Sequence, residues 1–223
     1  MRIAILDDIH KVWSATEGVA RLRDSADVTI FNEPFGEASA LKGFDVLIAN
    51  RERTQFDREL LEQLTEAKII VQTGNHANHL DFAAAEDCGI CVGQASAGYS
   101  IGAAELAIAL TLAVSRQIPQ LDAALRRSEW PVPSTPVLHG KTFGVIGLGR
   151  VGTHTANIAR AFGMSVIAWS PRLNQKMAQE KNAQYRELDT LLSEADVVSI
   201  HIALKLETRG LIDARRLSLM QPT

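Results

Sequence analysis

Lys141-Thr142-Phe143-Gly144-Val145-Ile146-Gly147-Leu148-Gly149-Arg150-Val151-Gly152 is the stretch that decides the fold. Residues 142–146 form a short, apolar, β-prone run, which predicts a strand covered on both faces. A G-x-G-x-x-G pattern follows at once, and a helical segment runs on to Phe162. Strand, glycine corner and helix in this order predict a dinucleotide-binding crossover. Each glycine has its own task. Gly147 permits the tight turn, Gly149 lets the main chain approach a pyrophosphate, and Gly152 lets helix and strand pack closely. Val151 lies among the first N–H groups of the helix, which are unpaired donors at the positive end of its dipole. Arg150 reads either as a phosphate contact or as a solvated surface arginine.

The next predicted strand, 164–169, ends in Trp169-Ser170-Pro171-Arg172. NAD sites commonly place Asp or Glu at this point to accept from the ribose 2′-hydroxyl. No carboxylate occurs here before Glu180. Ser170 does not repel a 2′-phosphate and Arg172 could pair with one, so NADP is favoured over NAD. The other reading of Arg172 is a plain exposed loop residue. Further on, the pattern predicts a helix at 175–181, a weak strand at 183–185, a helix at 188–193, a strand at 197–200 and a last helix at 213–220. His201 follows the fourth of these strands, at the carboxyl edge where ligands bind. It reads as a residue beside the cofactor or as a buried structural histidine.

Before the glycine motif the same alternation appears. Apolar runs at 3–6, 28–31, 46–49, 69–72 and 90–92 predict strands, with helices at 12–23, 57–67 and 80–87 between them. Such repetition implies right-handed parallel crossovers and an α/β sheet. A long helix is expected over 101–126, broken or kinked at Pro119. The Pro-rich segment 130–136 is a loop.

The remaining composition is that of an ordinary globular protein: 223 residues, 46% hydrophobic and 22% charged. Disordered and collagen-like classes are excluded. A net charge of −3 offers no footprint for nucleic acid or an acidic membrane. Asp7-Asp8 cut the first apolar run, so no secretory leader is expected, and no stretch reads as a membrane span. Cys88 and Cys91 form a lone C-x-x-C, read as two small apolar residues on a buried strand rather than a redox or metal pair. No metal site is expected, and the chain is expected to be cytoplasmic.

A longer series of segments narrows the class. Ile70-Val71-Gln72-Thr73-Gly74-Asn75-His76-Ala77-Asn78-His79-Leu80-Asp81 leads into Phe82-Ala83-Ala84-Ala85 and Gly89-Ile90-Cys91-Val92. Ala104-Glu105-Leu106, Leu138-His139-Gly140-Lys141-Thr142, Ala195-Asp196-Val197-Val198-Ser199-Ile200-His201, Thr208-Arg209-Gly210-Leu211-Ile212 and Met220-Gln221-Pro222-Thr223 follow in order. In order and spacing the chain resembles the D-isomer-specific 2-hydroxyacid dehydrogenases. These include phosphoglycerate dehydrogenases and glyoxylate/hydroxypyruvate reductases. The resemblance implies a flavodoxin-like substrate domain over 1–98 and a Rossmann dinucleotide-binding domain over 99–223, with an active site in the cleft between them. It implies hydride transfer between NAD(P) and a small 2-hydroxy or 2-oxo acid, and a homodimer formed through the cofactor domains. It places Gly74 and Asn75 in a loop that holds the substrate carboxylate with main-chain N–H groups. His76 and His79 stand beside that loop, and His201 stands near the nicotinamide. Ala203 occupies a position where the family usually has proline, so the loop after His201 is expected to differ in shape.

The resemblance also implies that the catalytic arginine, glutamate and histidine come after Thr223, so no catalytic residue is expected within the chain. The sequence is accordingly expected to be a fragment of an enzyme of roughly 320 residues, truncated within both domains. The alternative is a catalytically inactive dinucleotide-binding module or subunit.

Overall fold

The computed structural model describes residues 1–74, 78–95 and 100–222, with only the backbone of Ser100. The chain divides into two compact units, Met1–Gly98 and Tyr99–Thr223.

The first unit is built on five strands: β1 (Arg2–Ile5), β2 (Asp27–Ile30), β3 (Val46–Ala49), β4 (Ile69–Thr73) and β5 (Cys91–Ala95). All pairings are parallel and the order is β2-β1-β3-β4-β5. That is the flavodoxin-like order, with its reversal at β1 and β3, and ligands in such sheets bind outside the carboxyl ends of the strands. The central strands are apolar on both faces because helices cover both sides. Leu6, Leu47, Phe56, Leu61 and Ile70 are wholly buried in the core. Each such side chain contributes about 1.5–3 kcal/mol on burial.

The helices α1 (Glu17–Arg23), α2 (Arg58–Gln63) and α3 (Phe82–Asp87) are shorter than their apolar patterns suggest. N-caps set the later starts of α1 and α3, whereas α2 ends early, where Leu64 leaves the helical region at φ −88° and ψ 56°. Thr16, Asp57 and Asp81 each accept an N–H three residues on, and so set the first helical turn. A separate 3₁₀ turn, Trp13–Ala15, occupies the front of the predicted first helix. The cysteines depart from expectation. Cys88 is half-buried and caps α3, whereas Cys91 is exposed and opens β5. Gly89, at φ 71°, turns the chain between them, so they lie on different elements rather than on one buried strand.

The second unit opens with α4 (Ser100–Ser115) and α5 (Ile118–Arg126). The long helix expected here is broken, as Pro119 suggested, but just before that residue, and the two pieces are bent by 60°. Pro119 lies in the first turn of α5, where a missing N–H is harmless, and Gln117 takes a left-handed φ of 52° at the break. Among the described residues no single helix is long and apolar enough to cross a bilayer. Then follow β6 (Thr142–Ile146), α6 (Arg150–Ala161), β7 (Ser165–Trp169), α7 (Gln175–Glu180), β8 (Gln184–Tyr185), α8 (Leu188–Glu194), β9 (Val197–Ile200) and α9 (Ala214–Leu217). The strands pair in parallel in the order β8-β7-β6-β9. This is 3-2-1-4 counted from the glycine motif, the arrangement of a Rossmann sheet. One face packs Phe143, Val145, Ala156 and Ala159 against Ile108 of α4, and the other packs Ile146 and Ile167 against Leu191 and Leu192 of α8. Asp196 ties the sheet at its amino edge, accepting from Thr142 N–H and Lys141 Nζ, each at 2.8 Å.

Candidate functional site

The glycine corner of the second unit is constrained on two sides and open on a third. Gly147 adopts φ 102°, and a Cβ there would lie 2.6 Å from the His201 carbonyl oxygen. Its N–H donates to the Trp169 carbonyl at 2.7 Å, and His201 N–H donates to Ile146 O at 2.7 Å. The turn is therefore clamped between the ends of β7 and β9. A Cβ on Gly152 would overlap the Gly147 carbonyl oxygen and sit 3.0 Å from Val145 Cγ1. Gly149 is different: beyond its own chain neighbours, no atom of the described residues lies within 4 Å of where its Cβ would be. The space a side chain would fill is the space a pyrophosphate needs.

Donors face that corner. Thr153 N–H is the first to close a helical turn, onto Gly149 O at 2.9 Å. The N–H groups of Gly149, Arg150, Val151 and Gly152 have no partner among the described residues. Four free donors at the start of a twelve-residue helix make an anion cradle. Arg150 and Arg172 are exposed, and neither guanidinium has a partner among the described residues.

Leu148, between the first two glycines, is held at both ends. Its N–H donates to Ser170 Oγ at 3.0 Å, and its carbonyl accepts from Lys181 Nζ at 2.7 Å. Ser170 thus has a structural task not legible in its sequence position. Because its oxygen accepts there, its own O–H remains available to donate, and a phosphate or ribose oxygen can accept it. His201 is half-buried after β9, with Nε2 2.8 Å from Ser199 Oγ. Burial lowers its pKa below the ordinary histidine value, so the ring is neutral at pH 7. These residues fit a dinucleotide: open space over Gly149, free donors beneath it, and hydroxyl and guanidinium groups at the end of β7.

The predicted substrate loop starts at the carboxyl end of β4. Gly74 adopts φ 106° and bridges to Ala95. Asn75 lies outside the described residues, as does His76. The structure adds Arg51, which sequence reasoning passed over. Its backbone is left-handed at φ 63°, its N–H donates to Thr73 Oγ1 at 2.9 Å, and its Nη1 lies 3.5 Å from where a Gly74 Cβ would be. The Arg51 guanidinium has no partner among the described residues. Its signal was available: an arginine just past a buried strand, on the edge where such sheets bind ligands. Gln72 and His79, both buried, lie behind it. Lys181 had no such signal, being 33 residues from Leu148 along the chain. A separate cavity of about 450 Å³, lined by Asp7, Phe35, Arg53 and Gln55, includes none of the predicted site residues. No cluster of three His, Cys, Asp or Glu among the described residues could hold a metal.

A parallel sheet whose first crossover presents a glycine-cornered, donor-lined helix start defines a dinucleotide-binding α/β protein. The comparisons narrow that class. Residues 108–223 match the family model described as D-isomer specific 2-hydroxyacid dehydrogenase, NAD binding domain. D-3-phosphoglycerate dehydrogenase of Methanocaldococcus jannaschii is 35% identical over 226 residues, covering 99% of this chain and 42% of that protein. Glyoxylate reductase of Thermococcus litoralis is 37% identical over 175 residues, covering 74% of this chain and 53% of its own. The crystal structure of a phosphoglycerate oxidoreductase from Vibrio cholerae superposes with a TM-score of 0.89 at 33% identity, over 99% of this chain and 72% of that one. The chain belongs to the D-isomer specific 2-hydroxyacid dehydrogenase family. It spans between about a third and a half of the length of the curated relatives it matches. The matched domain is a nicotinamide-dinucleotide-binding one.

Proposed function

We propose that this chain supplies the cofactor-binding and substrate-carboxylate-binding parts of an NADP-preferring dehydrogenase acting on a small 2-hydroxy or 2-oxo acid. The observation that carries the proposal is the donor cradle of Gly149, Arg150, Val151 and Gly152 under the open space at Gly149. When bound, the nicotinamide donates or accepts the hydride. The chain's own residues bind and orient. The four N–H groups take the pyrophosphate charge. Ser170 and Arg172 face the adenosine ribose and suit a 2′-phosphate, because a hydroxyl donor and a free guanidinium stand where a carboxylate would repel it. Neutral His201 lines the nicotinamide side. Gly74 and Asn75 hold the substrate carboxylate through main-chain N–H groups, and Arg51 adds the positive charge beside Gly74.

A homodimer is part of the proposal. Leu106, Leu110 and Val114 form a stripe on α4 with exposures of 59%, 57% and 78%, on the side opposite buried Ala104 and Ile108. Trp130 and Val132 in the proline-rich loop are also exposed. Contiguous exposed apolar surface of this kind marks an interaction face. Calorimetry with NADPH and NADH tests the cofactor reading. Tighter binding of NADPH is expected, and binding of neither would overturn it. Adding glyoxylate or hydroxypyruvate in a turnover assay separates an active enzyme from a module that only binds.

A further inference from the structure

Residues 72 and 79 flank in sequence the segment that follows Gly74, and their side chains meet. His79 Nε2 lies 3.0 Å from Gln72 Oε1, and both side chains are buried. The other end of the Gln72 amide is engaged as well. Gln72 Nε2 donates to the Arg51 carbonyl at 3.0 Å and to the Thr73 carbonyl at 3.3 Å. Two carbonyls on one side allow only the NH₂ group to face them, so the oxygen faces the imidazole. The imidazole must then carry its proton on Nε2. His79 Nδ1 is left as a bare acceptor, buried and without a partner among the described residues.

A buried acceptor without a donor is unfavourable and asks for an explanation. An apolar side chain would fill the site without that cost. The histidine is explained by its other nitrogen, which is the donor that fixes Gln72. Gln72 in turn joins the ends of β3 and β4. Arg51, whose backbone is left-handed, is attached through its carbonyl to Gln72 and through its N–H to Thr73 Oγ1. Phe56 N–H donates to the His79 carbonyl at 2.7 Å, which fixes the far side of the loop base to the segment after β3.

We propose that Gln72 and His79 are positioning residues for substrate binding: a neutral Nε2–H imidazole and one amide staple the base of the loop and hold the Arg51 guanidinium beside Gly74. This rests on the reading of Gly74 and Arg51 as the substrate-anion site. Burial lowers the His79 pKa, opposed by the nearby Glu52 carboxylate, which is consistent with a neutral ring.

Three measurements on the full chain test it. In ¹⁵N-histidine long-range spectra of the unsubstituted protein at pH 7, His79 should show a protonated Nε2 and a bare Nδ1. A proton on Nδ1 would overturn the staple. His79→Phe and Gln72→Leu should speed hydrogen exchange of the Arg51 amide by about tenfold, and His79→Gln, which keeps a donor, should restore most of the protection. Unchanged exchange in His79→Phe overturns the staple even if binding is altered. With oxalate as probe, the same two variants should bind about tenfold more weakly while NADPH affinity stays as it was. Oxalate affinity in His79→Phe equal to that of the unsubstituted chain overturns the positioning role. If the unsubstituted chain shows the expected tautomer and exchange but does not bind oxalate, the substrate-site reading fails and the staple stands.

Discussion

Gly149→Ala should separate cofactor binding from folding. The backbone at Gly149 has φ −82° and ψ −155°, an extended conformation that alanine can adopt. Beyond its chain neighbours, no atom of the described residues lies within 4 Å of the added methyl. Replacing glycine at a compatible position restricts the unfolded chain and stabilises by about 0.4–1 kcal/mol. The melting temperature should therefore hold or rise slightly. Binding should fall steeply, because the methyl occupies the approach to the free N–H groups of residues 149–152. Hydrogen bonds to a charged group contribute about 1.5–3 kcal/mol each, so loss of two costs about 3–6 kcal/mol, or roughly 10²–10⁴-fold in affinity. Gly147→Ala is the counter-case. Its left-handed φ of 102° and the His201 carbonyl at 2.6 Å make strain that backbone atoms cannot relieve, so that variant should lose stability as well. Thermal melts paired with NADPH calorimetry give both readouts. A Gly149→Ala protein that binds NADPH with unchanged affinity would refute the cradle argument. One that fails to fold would refute the claim of open space.

Ser170→Asp puts a carboxylate at the end of β7. It should weaken NADPH by about 1–2 kcal/mol after solvent screening and leave NADH equal or tighter, as titration of each cofactor would show. Lys181→Met removes the charge on the Leu148 carbonyl. Hydrogen exchange around 147–149 should rise and NADPH should bind up to about tenfold more weakly, without loss of the global melt. Asp189 is held by Arg215 and Arg216, which lower its pKa to about 2 from 3.8. A depressed carboxylate pKa gives stability that is full above pH 4 and is lost as the pH falls towards 2. Asp189→Asn should therefore flatten the acid dependence of the melt in that window, and an unchanged slope would count against the pairing. Leu110→Glu places a charge in the exposed apolar stripe of α4, and sedimentation should show the proposed dimer giving way to monomer; identical profiles for both proteins would exclude this face.

The fold was legible where burial and glycine chemistry agree. Strands β3 and β6 match the runs at 46–49 and 142–146 because two-sided burial leaves an uninterrupted apolar signal. Helix lengths were less legible. The apolar pattern around α1 begins near Val12, but the Thr16 hydroxyl accepts the Val19 N–H and starts the helix later. A cap competes with periodicity over a single turn, and a pattern averaged over several turns does not see it. The cysteines failed for a related reason. Spacing alone put both on one strand, but Gly89 at φ 71° ends α3 between them, and a left-handed glycine is a backbone fact rather than a hydropathy one.

The site divides along the same line. The glycines are legible because Gly147 and Gly152 answer to main chain, the His201 and Gly147 carbonyls, and Gly149 to empty space. The residues that hold them in place answer to side chains distant in sequence. Leu148 depends on Ser170 for its N–H and on Lys181 for its carbonyl, 22 and 33 residues away. Reading Ser170 only as the residue in the place of a carboxylate catches half its chemistry. The same oxygen that accepts from Leu148 is the one whose hydrogen can meet a ribose or phosphate. On the proposed cofactor reading, cofactor choice and loop geometry meet at one atom. A substitution at Ser170 that alters specificity should also move the glycine loop, and conservation of loop geometry limits which residues can change the cofactor.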